Sequence, residues 1–307
     1  MALENEAWFI HAVSENVTQL AQQKRSKIRG SVFTKDGVIG KTYPFQRLAA
    51  TNMVAATRDA AISFINPGQT KRRAILEDFQ VAVLIDDFDK VKELANPESE
   101  FAMALVKSRE RQLDDLVIGK ATGDTGGILG LATSVDEANE STGTVALSAE
   151  VTAAGTGAQA IANGSANMTL SKILDAKQLM DINDVDDEDR YFFYSPQAMR
   201  KMLSITEITN SDYNTIKALA GGGLPMDYKW CGFYWRMTTR LPKSGNIRSC
   251  IAVQKNAVGL AIGKVTEVDV HRNPNYWNNV QCIVKLSAGA VRIDASGVVQ
   301  VDIDESV

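Results

Sequence analysis

Two histidines and three cysteines carry most of the metal-binding and nucleophilic chemistry open to this 307-residue chain. His11 and His271 have no HxxxH or HExxH partner, so the spacing offers no zinc-hydrolase site. Cys231, Cys250 and Cys282 are far apart, odd in number and free of any CxxC pair. That pattern points to buried thiols in a reducing compartment rather than to a metal cluster or a disulfide frame. Gly40-Lys41-Thr42 matches the end of a phosphate-cradling loop, but the first glycine of that motif falls at Lys35. The run GDTGGILG at 123–130 is glycine-rich, yet it follows a helical pattern rather than a strand, so the dinucleotide-binding context is missing. No GxSxG elbow is present for a serine hydrolase. Asp86, Asp87 and Asp89 lie close together without the spacing of a calcium loop, and a solvated strand end accounts for them more simply.

These absences leave an α/β enzyme with an unrecognised site as one reading and direct attention to charge. Lys and Arg number 33 against 37 Asp and Glu, a net charge of −4. The chain is therefore not basic overall, as strong nucleic-acid binders are, although local basic patches remain open. Lys24, Arg25, Lys27 and Arg29 close a polar amino-terminal stretch, and Lys71, Arg72 and Arg73 run consecutively. For the first cluster, a solvated helix end and an arm that meets phosphate or an acidic partner surface are equally open. The start, MALENEAWFIHAV, lacks the basic region of a signal peptide, and no apolar run approaches the length that spans a bilayer. The protein is expected to be soluble and made in the cytoplasm.

The element that must position these groups is the helix written at 96–119. Asn96 is a good N-cap, Pro97 suits the first helical position, Glu98 and Glu100 complement the dipole, and Gly119 offers a stop. Such a helix runs about 33 Å. Ala102, Leu105, Val106, Leu113, Leu116 and Val117 form an apolar stripe, and Lys107, Arg111, Asp114 and Asp115 form a charged side with an Arg111–Asp115 pair. Arg109 sits within the stripe, either snorkelling at its edge or paired to another element or subunit.

Around that helix, residues 28–87 are β-like. Asp36-Gly37 is a hairpin signal, and Ile75, Phe79, Val81, Val83 and Ile85 alternate onto one face. The segment reads as a long two-stranded excursion that leaves and returns. Because a lone hairpin is marginal in water, it should lie against something else, in this chain or in a neighbouring copy. Residues 123–167 read as loop or weak strands. Thr169 caps a helix whose apolar side holds Leu170, Ile173, Leu174 and Met180. A solvated acidic turn at 184–189, a buried strand RYFFY and a Ser195-Pro196 helix follow. Gly221-Gly222-Gly223 is a loop, strands follow it, and Ala295-Ser296-Gly297 reads as the final hairpin turn.

In this order the stretches TKRRAILEDFQVAVLIDDFDKVKELANPESEF, RERQLDDLVIGKATG, LSKILDAKQLMDINDVDDEDRYFFYSPQAMRKML, GGGLPMDYKWCGFYWRMTTRLP and WNNVQCIVKLSAGAVRIDASGVVQVDID resemble a tailed-bacteriophage major capsid protein of the Hong Kong 97 type. The resemblance implies an α+β fold. Its parts are an amino-terminal arm at 1–30, an extended β-hairpin E-loop at 31–85, and a peripheral domain at 86–130 with its spine helix at 97–118. An α/β axial domain at 131–263 and a second peripheral segment at 264–307 complete it.

The same resemblance implies a structural, non-enzymatic role without cofactor or metal: hexamers and pentamers closing into an icosahedral shell around double-stranded DNA. The implied partners are further copies of the chain, a separate scaffolding protein, a portal, a decoration protein and the packaged DNA, with no membrane. The implied location is the virion capsid, assembled in the host cytoplasm. An encapsulin-type bacterial compartment is the same-fold alternative. Candidate assembly or DNA contacts are Lys24, Arg25, Lys27, Arg29, Lys71, Arg72, Arg73, Arg109 and Arg111, and Gly221, Gly222 and Gly223 are the candidate capsomer-axis loop. Replacing Arg72 and Arg73 is expected to impair assembly while leaving the fold intact. The helix stripe should pack on strands returning after residue 264, with Arg109, Arg111, Asp114 and Asp115 facing the shell interior or an adjoining subunit.

Overall fold

The computed structural model describes residues 21–55, 58, 61, 62, 64–85, 98–119, 126–130, 132–135, 142–145, 147, 159–204, 229–265 and 268–306. The chain divides into two compact units: Met1–Arg25, Asp78–Arg111 and Val265–Leu286 form the first, and Ser26–Glu77, Gln112–Lys264 and Ser287–Val307 form the second.

In the first unit, β4 (Glu77–Ile85), β14 (Asp269–Asn273) and the start of β15 (Asn279–Arg292) accompany most of the spine helix α1 (Glu98–Ile118). β14 runs antiparallel to β15, with Asp269 opposite Ile283 and Asn273 opposite Asn279. Ile85, Leu105, Cys282 and Val284 form the buried core, with Val81, Val83 and Val268 packed against it. Leu105 of the helix stripe thus packs on strands that follow residue 264, as the capsid resemblance implies. The alternation in β4 holds from Phe79 to Ile85 but excludes Ile75, which is exposed. Ala74 and Leu76 both turn toward the core that holds Phe45, so Ile75 between them faces out. The parity changes across Glu77 and Asp78, which are both exposed, and from Phe79 onward the odd-numbered residues face in.

In the second unit, β2 (Thr42–Leu48) and β3 (Gln69–Ile75) are antiparallel over their whole length, from Thr42 opposite Ile75 to Leu48 opposite Gln69. β5 (Ala132–Val135) and β6 (Thr142–Val145) extend this sheet beyond β3. One face buries Phe45, Ala74 and Ala132 with Val38, Ala261 and Val291, and Tyr43 packs at its edge. The hairpin expected at Asp36-Gly37 does not form. Gly37 does adopt a turn conformation (φ 73°), but β1 (Phe33–Asp36) pairs in parallel with β13 (Val258–Val265), Phe33 opposite Gly259. The turn chemistry was legible, whereas the strand's partner is set by a segment more than 200 residues away.

The remainder of this unit is a lobe around a sheet ordered β7-β16-β12-β8-β10-β9, with β11 on β12. Its strands are β7 (Ala160–Ile161), β8 (Arg190–Tyr194), β9 (Lys229–Trp230), β10 (Phe233–Met237), β11 (Lys243–Ser244), β12 (Ile247–Gln254) and β16 (Val298–Asp304). β8 is buried at every position, being flanked by β12 and β10 and rich in aromatics. Phe192 stacks on Trp235 at 4.6 Å, and Trp230 and Tyr194 close around the same indole. Ala295-Ser296-Gly297 is not a hairpin turn: β15 belongs to another sheet, and β16 lies between β12 and β7.

Helix α2 (Leu170–Ile182) is capped by Thr169, whose hydroxyl accepts from the Lys172 amide at 3.4 Å. Helix α3 (Pro196–Leu203) is capped by Ser195, with Pro196 in the first turn, as the Ser-Pro pair predicts. On α2 the buried side holds Lys172, Ile173, Ala176 and Met180, while Leu174, expected inward, is exposed.

Candidate assembly surfaces

The charged positions singled out from sequence fall into three environments. Lys24 and Arg25 are exposed, Lys27 is half-buried, and Arg29 pairs with Asp36 at 3.2 Å. What fixes this stretch is Asp114. Its carboxylate, fully buried, accepts from the Ser26 hydroxyl (2.5 Å) and from the amides of Lys27 (3.1 Å) and Ile28 (3.3 Å). Asp114 was expected on an outward charged side with Asp115. Instead it anchors the chain that leads into β1, because three donors repay the desolvation of one carboxylate. The expected Arg111–Asp115 pair is replaced as well. Arg111 donates to Gln22 at 2.6 Å, and Asp115 takes Arg240 at 3.3 Å. Arg109 is half-buried beside its neighbour Glu110, with Nη2 2.9 Å from the carboxylate.

On β3, strand pleating separates three consecutive cations. Lys71 and Arg73 stand opposite Gln46 and Pro44 on the outward face, with exposed Leu48 and Gln69. Arg72 lies on the other face, 8% exposed, opposite Phe45 and Ser134. Replacing Arg72 is therefore expected to disturb the sheet as well as any contact, so Arg73 is the cleaner position for testing assembly. Gly221, Gly222 and Gly223 lie outside the described residues, as do Asn96, Pro97, His11, Asp86, Asp87 and Asp89.

Beyond β2 the excursion carries large apolar side chains in solvent. Leu48 is 67% exposed, Phe64 93%, and Met53, Val54 and Ile62 are similarly uncovered. The sequence does not single them out, because 48–65 follows neither a helical nor a strand period. The available signal was that absence of period together with undiminished hydrophobicity.

The lobe, by contrast, satisfies its buried charges internally. Glu305, its side chain 2% exposed, accepts from Arg248 Nε (2.6 Å), Lys243 Nζ (2.9 Å) and the Ser195 hydroxyl (2.9 Å). Burial pushes its carboxyl up, but these hydrogen bonds outweigh burial and hold it below the ordinary glutamate range. Lys172 donates to the carbonyls of Asn163 (2.8 Å), Ala166 (2.7 Å) and Asp302 (3.0 Å). Burial lowers its pKa, opposed by Cys250, Asp302 and Asp304. Arg190 holds the acidic turn, donating to the Asp186 and Val185 carbonyls and to Asp181. Burial pushes the Cys250 thiol up to about 12, as befits an inert core cysteine. Among the described residues no cluster of His, Cys, Asp or Glu could hold a metal ion, and no helix is long and apolar enough to cross a membrane.

Comparison with known proteins gives this arrangement its context. No curated protein sequence matches the chain significantly. Among solved structures it is similar to the capsid of cyanophage P-SCSP1u, at 14% identity and a TM-score of 0.70 over 96% of this chain and 93% of that one. It is similar to the capsid of a native GTA particle at 13% identity and a TM-score of 0.69, covering 99% of this chain and 98% of that one. The capsid of Ralstonia phage GP4 is 12% identical, with a TM-score of 0.67 over 99% and 97% of the two chains. These likenesses show the α+β Hong Kong 97-type fold. A family model described as phage capsid protein matches residues 6–305. With nearly the whole sequence matched, the chain belongs to the phage capsid protein family.

Proposed function

We propose that this capsid protein assembles as hexamers and pentamers into an icosahedral shell around double-stranded DNA, and that its role is structural rather than catalytic. The observation that carries the reading is the β2–β3 excursion, which leaves Leu48, Met53, Val54, Ile62 and Phe64 in water on a folded subunit. Large apolar side chains left exposed along one segment are buried by association. In the proposed assembly this E-loop, at 31–85, lies over a neighbouring subunit. The peripheral segments 86–130 and 264–307 hold the spine, and the segment 131–263 gathers at capsomer axes with Gly221, Gly222 and Gly223 at the centre. Many modest contacts become cooperative through closure of the shell. Exposed Lys24 and Arg25 are candidates for subunit or DNA contacts. The proposal includes a separate scaffolding protein, a portal and a decoration protein as partners, and assembly in the host cytoplasm. Electron microscopy of the expressed protein, alone and with the neighbouring viral genes, tests it. Closed shells of uniform diameter are expected, and small soluble oligomers under both conditions would overturn it.

A further inference from the structure

The subunit's charge is divided unevenly along the chain. Residues 33–75 hold seven Lys and Arg against two Asp, a net +5, whereas the chain as a whole is −4. The other 264 residues therefore carry −9. Of the seven cations, Arg72 is buried and Arg47 is bound to Asp294 at 3.5 Å. Lys35, Lys41 and Arg58 are exposed, and Arg73 lies on the outward face of β3. None of these four has an ion-pair partner among the described residues. The acidic surplus is uncovered as well: Asp184, Asp186 and Glu188 are exposed without a cation beside their carboxylates.

From this we infer that the excursion and its base, where exposed cations and apolar side chains occur together, dock on the acidic surface of a second copy of the chain, so that assembly is driven partly by attraction between opposite charges. This rests on the shell reading above and adds the chemistry of the contact. Two classes of anion could satisfy the free cations, protein carboxylates and DNA phosphates. The side chains interleaved with the cations decide between them. Met53, Val54, Ile62 and Phe64 lie in the same excursion and are exposed. A phosphate backbone neutralises cations without burying such groups, whereas a protein surface does both. A second copy supplies the complementary charge in fixed ratio, one acidic body for each basic excursion. Complementary fields of this kind steer encounter and fix register, and salt screens them over about 8–10 Å.

Sedimentation of the full chain, freed of nucleic acid, tests the inference in 0.05 M and 0.5 M sodium chloride. For the wild type the apparent dissociation constant for self-association should rise by about tenfold between the two salts. The variant Arg58→Gln/Arg73→Gln should associate at low salt as weakly as the wild type does at high salt, with an unchanged melting temperature. Lys35→Gln/Lys41→Gln should reproduce the effect and guards against a local folding defect in the first variant. Wild-type association that ignores salt, or a wild type that stays monomeric throughout, overturns the inference. So does a variant that associates normally but retains less nucleic acid in particles, which would assign the cations to DNA. Salt-sensitive small oligomers without closed shells would sink the shell reading while supporting this contact.

Discussion

The β2–β3 sheet buries one face through Tyr43, Phe45, Ala74 and Ala132 and then leaves Leu48, Met53, Val54, Ile62 and Phe64 uncovered. The lobe around β8 and β12 does the opposite. All five residues of β8 are buried, and Lys172, Arg190 and Glu305 each meet several partners inside the subunit. Both regions belong to the same compact unit and draw on similar residue types. The lobe pairs its buried charges within the subunit, whereas the excursion carries uncovered apolar area and cations, Arg58 and Arg73, without an ion-pair partner among the described residues. Stability and assembly are thereby assigned to different residues, and mutations should separate them.

The most severe break in the comparison lies at the base of the excursion. A Cβ on Gly289 of β15 would stand 2.0 Å from the Ile75 carbonyl oxygen. Backbone cannot yield there as a flexible side chain could, so Gly289→Ala should cost about 4 kcal/mol or more or abolish soluble expression. Urea denaturation measures it. A loss under about 1 kcal/mol would mean that the two strands separate easily and that the excursion is not rooted where the close approach places it.

Next in size is the lobe's ionic node. Glu305→Ala leaves Arg248, 18% exposed, and Lys243 facing a carboxylate that is gone. The expected loss is about 2–4 kcal/mol, because the remaining charges are only partly hydrated. Shell formation at low temperature should survive if folding does. A variant with wild-type stability and failed assembly would move the node from the lobe's interior to an interface and erase the contrast drawn above.

The node was illegible in the sequence for a physical reason. Glu305 meets Ser195, Lys243 and Arg248 only because β16 lies on β12, and neither alternation nor composition encodes which strands pair. The final turn was misread for the same reason. Local rules were enough where the cause is local: Thr169 and Ser195 as caps, the stop at Gly119 (φ 76°), the buried run at 190–194 and the helix stripe at Leu105. Asp114 shows the limit of surface patterning. It lies on the polar side of a helical wheel, yet a returning chain covers it and supplies three donors. Arg72 marks the same limit, because in a run of three cations a pleated strand turns the middle residue inward.

A smaller effect should appear as pH falls. Glu305 has its folded pKa held below the unfolded value, so its contribution is complete above about pH 4.3 and is lost as pH drops through the lower folded value. The stability gap between wild type and Glu305→Gln should therefore be widest at pH 6–7 and narrow as pH falls below about 4.3. Comparing the two proteins cancels the titration of the other carboxylates. A gap independent of pH would mean that the carboxylate is held by packing rather than by its hydrogen bonds.

The smallest effect on the subunit is also the most informative. Phe64 is 93% exposed, so Phe64→Ser should change the stability of the isolated subunit by no more than about 0.5 kcal/mol. The same ring gains about 1.5–3 kcal/mol if a neighbour buries it fully. Because each subunit in a closed shell makes that contact, even a fraction of the gain raises the concentration needed for assembly by about tenfold. Melting of the unassembled chain and sedimentation of the assembled one read the two quantities separately. An unchanged melting temperature with weakened assembly is what a region completed by its neighbour requires. A drop of several degrees with normal assembly would place Phe64 in the subunit's own core and make the excursion as self-sufficient as the lobe.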